Sequence, residues 1–210
     1  MPLRYGFILN PNSGKGSGEK EWASFQPFIG SMLAPGSWCV RRTGRAGDAQ
    51  RFVCDLVDEG YNVIVSVGGD GTHNEVVNGY MTADGKAKGV KLGLLAVGTC
   101  GDLCRGLGYY KITKRQQVEM LRDGIHYEAD IGCLLCTSMD SASVVKRYFI
   151  NISSCGISGV VCSGVNSAST HMGGTLTFFY HAVKGTLFYR NTAMRYKCRL
   201  KQGGADAHMR

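Results

Sequence analysis

The buried-looking run Val63-Ile64-Val65-Ser66-Val67 leads without a spacer into Gly68-Gly69-Asp70-Gly71-Thr72, and Glu75, Val76, Val77, Asn78 and Gly79 continue it as a helix. A strand that must turn at once into a helix leaves few folds open, and glycines at the turn permit positive φ and close approach to the backbone. The helix start aims unsatisfied N–H groups and the positive dipole end at the same spot, an arrangement suited to phosphate. Many such turns use glycine only for steric relief. Asp70 shifts the balance, because a carboxylate beside phosphates repels them unless it binds Mg²⁺ or accepts a proton from an attacking hydroxyl. Acid and glycines together point to phosphoryl transfer.

Two more segments fit this chemistry. The strand-like Tyr5-Gly6-Phe7-Ile8-Leu9 runs into Asn10-Pro11-Asn12-Ser13-Gly14-Lys15-Gly16, a loop with amide and hydroxyl donors and one cation. It is not a Walker A loop, since Leu9 stands where the first glycine would be. Leu92-Gly93-Leu94-Leu95-Ala96-Val97 ends in Gly98-Thr99-Cys100-Gly101-Asp102-Leu103-Cys104-Arg105. In an open parallel sheet such strand ends converge on one ligand.

The chain reads as α/β doubly wound over residues 1–124, with strands at 3–9, 38–42, 63–67 and 92–97. Helices are expected at 18–33, from an Asp48 N-cap to a closing Gly60, at 72–80, and from a Thr113/Gln116 capping box to Gly124. Residues 125–210 are expected to form part of an antiparallel β-sandwich, with strands at 126–133, 144–153 and 193–201 separated by Gly- and Ser-rich turns. Leu176, Phe179, Val183 and Leu187 recur at helical spacing within 175–189, with Phe178 and Phe188 widening the stripe, and this reads as core.

These motifs resemble the diacylglycerol kinase catalytic domain shared by diacylglycerol, sphingosine and ceramide kinases. Asn10 to Gly14 is similar to its N-P-x-S-G loop, Gly68 to Gly79 to its G-G-D-G-T-x-x-E-V-x-N-G signature, and Gly98 to Arg105 to its G-T-x-N-D-x-A-R segment. Gly101 replaces the Asn of that third motif and Cys104 its Ala. Phe149-Ile150-Asn151 is similar to an F-x-N segment of the β-sandwich that follows the family's nucleotide domain.

The resemblance implies ATP binding by Asn10, Pro11, Asn12, Ser13 and Gly14. It extends that site to Thr43, to Gly68, Gly69, Asp70, Gly71, Thr72, His73 and Asn74, and to Thr99. It further implies Mg²⁺ held by Asp70 and Asp102, with Asp70 the first choice as catalytic residue. The family's bacterial members take their base from a later D-G-E motif, which does not occur in this chain. The chain is thus expected to cover roughly two thirds of a family catalytic core.

Composition is compatible with this reading without leading to it. The 210 residues, 44% hydrophobic, can bury a substantial core, and no apolar run reaches the ~20 residues of a membrane span. Nine cysteines scattered over helices and strands are expected as thiols in a cytoplasmic setting. Cys133 and Cys136 lack a second close pair and read as structural rather than zinc-binding.

Residues 141–205 hold eight Lys or Arg and no acid, enough to account for the net charge of +8. Within them Arg195, Lys197, Arg199 and Lys201 alternate with apolar residues, as on one face of a strand. An anionic membrane surface is the expected partner, touched peripherally. Nucleic acid is not, because the basic strand offers one aromatic, Tyr196, and no recognition motif. The expected activity is ATP-dependent phosphorylation of a hydroxyl of diacylglycerol or a sphingoid lipid. The alternatives are a noncatalytic nucleotide- and membrane-binding fragment, and a soluble kinase of the NAD or sugar-phosphate type. Lipid identity and oligomeric state are not legible in these residues.

Overall fold

The structure, a computed structural model, describes residues 2–97, 101–126, 128–137, 143–154, 156–167 and 174–190. The chain divides into two compact units, Met1–Ile152 and Ser153–Arg210. The first opens with β1 (Tyr5–Leu9), a single turn α1 (Ser13–Gly16) and α2 (Gly18–Met32). It continues with β2 (Trp38–Arg42), α3 (Asp48–Asp58), β3 (Val63–Gly68), α4 (Asp70–Thr82) and β4 (Lys91–Ala96). Then come α5 (Asp102–Gly106), α6 (Lys114–Asp123), β5 (Gly132–Thr137) and β6 (Val144–Phe149).

All neighbours in the main sheet are parallel, in the order β2-β1-β3-β4. Every residue of β1 and β3 is buried, as continuous apolar runs covered on both faces must be. One face packs Phe7, Val65 and Leu95 against Trp22, Phe25 and Ile29 of α2 and Val118 of α6. The Phe7 and Trp22 rings lie 5.1 Å apart. The opposite face packs Ile8 and Ile64 against Val53 and Leu56 of α3 and Val76 of α4. Each such large apolar side chain contributes about 1.5–3 kcal/mol on burial.

Local signals hold at several termini. The Thr113 side chain accepts from Gln116 N–H while Gln116 Oε1 accepts from Thr113 N–H, and Gly124 closes α6 at φ 66. Gly60 follows α3 at φ 83. Asp48 differs from its expected cap role: Gly47 is the N-cap, and the Asp48 carboxylate turns back to accept from Gly44 and Arg45 N–H. Those contacts, the Gly44 amide foremost, hold its carboxyl below the usual range. The α3 amides are instead capped from another helix, since Glu75 Oε2 accepts from Gly47 N–H at 3.1 Å and Ala49 N–H at 3.3 Å.

The antiparallel β5–β6 hairpin departs from the strands expected at 126–133 and 144–153: β5 overlaps the first only at residues 132 and 133 and continues to Thr137, and β6 stops at Phe149. Gly132 pairs with Phe149, so residues before the one and after the other have no partner strand to extend along. The second sheet holds two strands among the described residues, and the strand expected at 193–201 lies outside them.

The described part of the second unit is helical: α7 (Ile157–Ser167) and α8 (Gly174–Phe188). Helix α7 was not anticipated in so Gly- and Ser-rich a segment. The α8 stripe expected to be core is exposed, with Phe178, Phe179, Val183, Leu187 and Phe188 each more than 40% accessible. The cause is the use of small residues at the contact: Gly185 of α8 faces Val161 and Ile157, and Gly164 of α7 faces His181. Among the described residues no helix is long and apolar enough to cross a membrane, and the six described cysteines form no disulfide.

His73 lies inside this fold at 1% exposure, with Nδ1 2.7 Å from Ser66 Oγ and Nε2 3.7 Å from Cys104 Sγ. Burial pushes the imidazole down to about 4 from an ordinary 6.5, against a smaller upward pull from Asp70. Between those values the unfolded chain takes up a proton that the folded chain refuses, so stability falls as pH drops from 6.5 toward 4. Urea unfolding is expected to show a loss of roughly 2 kcal/mol between pH 7 and pH 5. His73→Asn is expected to abolish that slope, and an unchanged slope would contradict the assignment. A second test concerns helix contact. A Cβ at Gly79 would stand 2.5 Å from the Gln50 carbonyl oxygen and 2.8 Å from Val53 Cβ. Gly79→Val is therefore expected to cost about 1–3 kcal/mol, seen as a lower Tm, and an unaltered Tm would refute the close α3–α4 packing.

Candidate active site

The chain leaves β1 toward β2 on one side and later adds β3 on the other, so the loops after β1 and β3 part at the sheet's switch point. Crevices that accept ligands form there, outside the carboxyl ends of the strands. The β1 loop is tied to the sheet by Asn10 N–H donating to the Val67 carbonyl at 3.0 Å. Asn10 Nδ2 donates to Thr72 Oγ1 at 3.1 Å, and Asn10 Oδ1 accepts from Asn12 N–H at 3.0 Å. One side chain thus orders its own loop and fastens it to the next.

Gly68 is required by this closeness. A Cβ there would lie 2.7 Å from Thr72 Cβ and 3.0 Å from Ser13 Oγ. Gly69 and Gly71 differ, since a Cβ at either would meet nothing within 4 Å among the described residues. Among the described residues the crest above the β3 turn is uncovered at Gly69 and Gly71, and Gly14 and Lys15 have left-handed backbone at φ 60. For Lys15 that conformation carries strain of order 1–3 kcal/mol, a feature that concentrates at functional loops.

Asp70 is the first residue of α4 after the Gly69 cap, two residues earlier than the expected start at 72. Its carboxylate reaches the loop after β4, where Oδ2 accepts from Asp102 N–H at 2.9 Å and Oδ1 from Leu103 N–H at 3.3 Å. A Cβ at Gly101 would overlap that carboxylate. The Asn-to-Gly departure in the third motif therefore makes room for Asp70 to sit on the start of α5.

These contacts join the 10–14 loop to the 68–72 turn, and that turn, through Asp70, to the 101–103 segment. Thr43 follows β2 directly, with its N–H on the Leu9 carbonyl at 2.9 Å. Pro11 is half-buried, Asn12 exposed and Thr72 buried. Two expected site residues point elsewhere: the His73 ring faces the core, and exposed Asn74 donates through Nδ2 to the Tyr148 carbonyl at 3.2 Å. Thr99 lies outside the described residues. Among the described residues no group of three or more His, Cys, Asp or Glu is placed to hold a metal. Asp102 meets Asp70 through its main-chain N–H. Two contributions escaped the sequence reading, the bridging of Glu75 to the α3 start and the spatial need for Gly101, because both depend on partners 26 to 32 residues away.

The profile of the diacylglycerol kinase catalytic domain matches residues 4–134, more than half of the chain. A diacylglycerol kinase of Bacillus subtilis (strain 168) is 30% identical over 199 residues, covering 93% of this chain and 60% of that protein. One of Staphylococcus aureus (strain MRSA252) is 31% identical over 156 residues, covering 74% of this chain and 44% of its own. A solved Bacillus anthracis structure, provisionally titled a diacylglycerol kinase, covers 63% of this chain and 44% of its own at 20% identity and a TM-score of 0.48. The chain spans less than two thirds of the length of these curated relatives. The family profile runs through all three strand-end loops, and the chain belongs to the diacylglycerol kinase catalytic domain family.

Proposed function

We propose that this chain is the nucleotide-binding part of a lipid kinase that transfers the γ-phosphate of ATP to a hydroxyl of diacylglycerol or a sphingoid lipid. The observation that carries the reading is the placing of Asp70 at an open helix start, joined by hydrogen bonds to the loop after β4. Phosphoryl transfer asks little covalent chemistry of a protein and much positioning and charge neutralisation. The residues here are of the right kind for that.

In this reading the amides at the start of α4 and the polar groups of Asn12 and Ser13 bind the phosphates, favoured by the α4 dipole. Gly69 and Gly71 let the phosphates approach the backbone. Thr43 and Thr99 border the nucleotide. Asp70 orients the acceptor hydroxyl and takes its proton, while the Asp102 and Leu103 amides fix the carboxylate direction. Mg²⁺ is normally held by one or two carboxylates together with phosphate oxygens and water, and Asp70 with Asp102 fits that donor set. When bound it would neutralise charge on the transferring phosphate.

The lipid side is read from the later residues. Exposed Phe178, Phe179, Leu187 and Phe188 on α8, in a stretch whose ionisable residues are basic, suit contact with an anionic bilayer surface from one side. Residues 1–124 serve nucleotide and 125–210 begin the lipid-substrate part in this proposal, and the protein works in the cytoplasm. A second reading, a noncatalytic nucleotide- and membrane-binding fragment, is favoured by the engagement of both Asp70 oxygens with amides.

Two experiments separate these. In the full-length protein, Asp70→Asn is expected to lower transfer of labelled phosphate from ATP to lipid by about 10²- to 10⁴-fold, the range for a lost proton acceptor; unchanged transfer would remove Asp70 from the chemistry. ATP binding by the wild type without phosphorylation of any diacylglycerol, monoacylglycerol, sphingosine or ceramide acceptor would favour the second reading. Glu75→Ala should release the 44–49 loop and weaken ATP binding about tenfold, the effect of losing one charge-assisted contact pair. Equal affinity by calorimetry would show that this loop plays no part.

A further inference from the structure

Asn78 lies eight residues beyond Asp70 on α4, about 12 Å along the axis, and is only 5% exposed. Its side chain is not aimed at the phosphate crest. Nδ2 donates to the Tyr148 carbonyl at 2.9 Å, and Oδ1 accepts from Tyr148 N–H at 3.0 Å. Residues of antiparallel strands present N–H and C=O to the same side, so Tyr148 turns both main-chain groups toward α4. A side-chain amide stands there in place of a neighbouring strand's peptide. It covers an edge that would otherwise carry two unsatisfied groups.

The arrangement is braced. Asn78 Nδ2 also donates to the Asn74 carbonyl at 2.9 Å, which fixes its rotamer on α4, and Asn74 Nδ2 adds a second donor to the Tyr148 carbonyl at 3.2 Å. The α/β core does not need these contacts, because α4 is already seated through Val76 and Glu75. What they hold is the hairpin. That hairpin exposes Leu134, Leu135 and Val144, with Arg147 opposite Leu134 and Lys146 opposite Leu135. Apolar and cationic groups side by side suit an acceptor with a hydrocarbon chain.

We propose that Asn78 is a positioning residue that registers the β5–β6 hairpin against the helix bearing Asp70, so that an acceptor lying on the hairpin presents its hydroxyl to that carboxylate. The inference rests on the phosphotransfer reading and adds to it a physical link between the phosphate crest and the acceptor surface. Asn78 acts through the Tyr148 main chain. Its loss changes alignment while leaving the nucleotide loops in place.

The test uses the full-length protein with Asn78→Asp, which keeps the size but sets an acceptor against the Tyr148 carbonyl, and Asn78→Ala. Three readouts are taken: amide hydrogen exchange, ATP affinity, and kcat/KM for a diacylglycerol acceptor in mixed micelles. Exchange over 144–149 is expected to speed about tenfold relative to 63–68, the effect of a lost buried hydrogen bond. ATP affinity should stay within about twofold, and acceptor kcat/KM should fall about 10- to 100-fold through misalignment. Unchanged exchange over 144–149 in Asn78→Asp, or a loss of ATP affinity as large as the loss of acceptor kcat/KM, would overturn the proposal. A wild-type protein that phosphorylates no lipid would overturn the acceptor half together with the phosphotransfer reading, while the exchange result still decides whether Asn78 registers the hairpin.

Discussion

No side chain can stand at residue 68. Thr72 and Ser13 crowd the space a Cβ would take, and that crowding is the mark of two loops brought together at the switch point of a parallel sheet. The contact follows from strand order, because β1 and β3 are neighbours whose connections depart in opposite directions. Asn10 then converts proximity into a defined geometry by donating to Thr72. Asp70, two residues before Thr72, inherits its place from the same turn.

Helix α4 spreads this order through the unit. Its first residue, Asp70, reaches the start of α5, Glu75 caps α3, Asn78 grips β6, and Gly79 lets α3 approach closely. Glu75 lies three residues before Asn78 and four before Gly79, so neighbouring positions on one helix serve both α3 and β6. A single signature thus carries two kinds of work. Its glycine-rich beginning leaves the backbone at Gly69 and Gly71 uncovered among the described residues, and its later residues fasten α3 and β6.

Much of this architecture was legible because it is local. Apolar runs in β1 and β3, the Thr113/Gln116 capping box and the glycines after α3 and α6 announce themselves within a few residues. The convergence of loops could be inferred from a general rule of parallel sheets. Directions of side chains could not. His73 and Asn74 stand inside the signature, yet one faces Ser66 in the core and the other a strand 74 residues away. Asp48 looked like a cap until a carboxylate from α4 was found doing that service. The α8 stripe misled because helical periodicity reports a face without naming its environment, and the helices chose their glycine faces for contact. Strand ends in the hairpin were set by pairing, which propensity does not record.

In the proposed function a triphosphate rests against the joined loops at the sheet crest. Backbone amide NMR titration with Mg²⁺-ATP tests it most directly. Shift changes are expected to cluster at residues 12–16, 69–72 and 101–103, with the hairpin and the second unit little affected. Saturating nucleotide that leaves those amides unmoved, or moves a set on the opposite edge of the sheet, would contradict it.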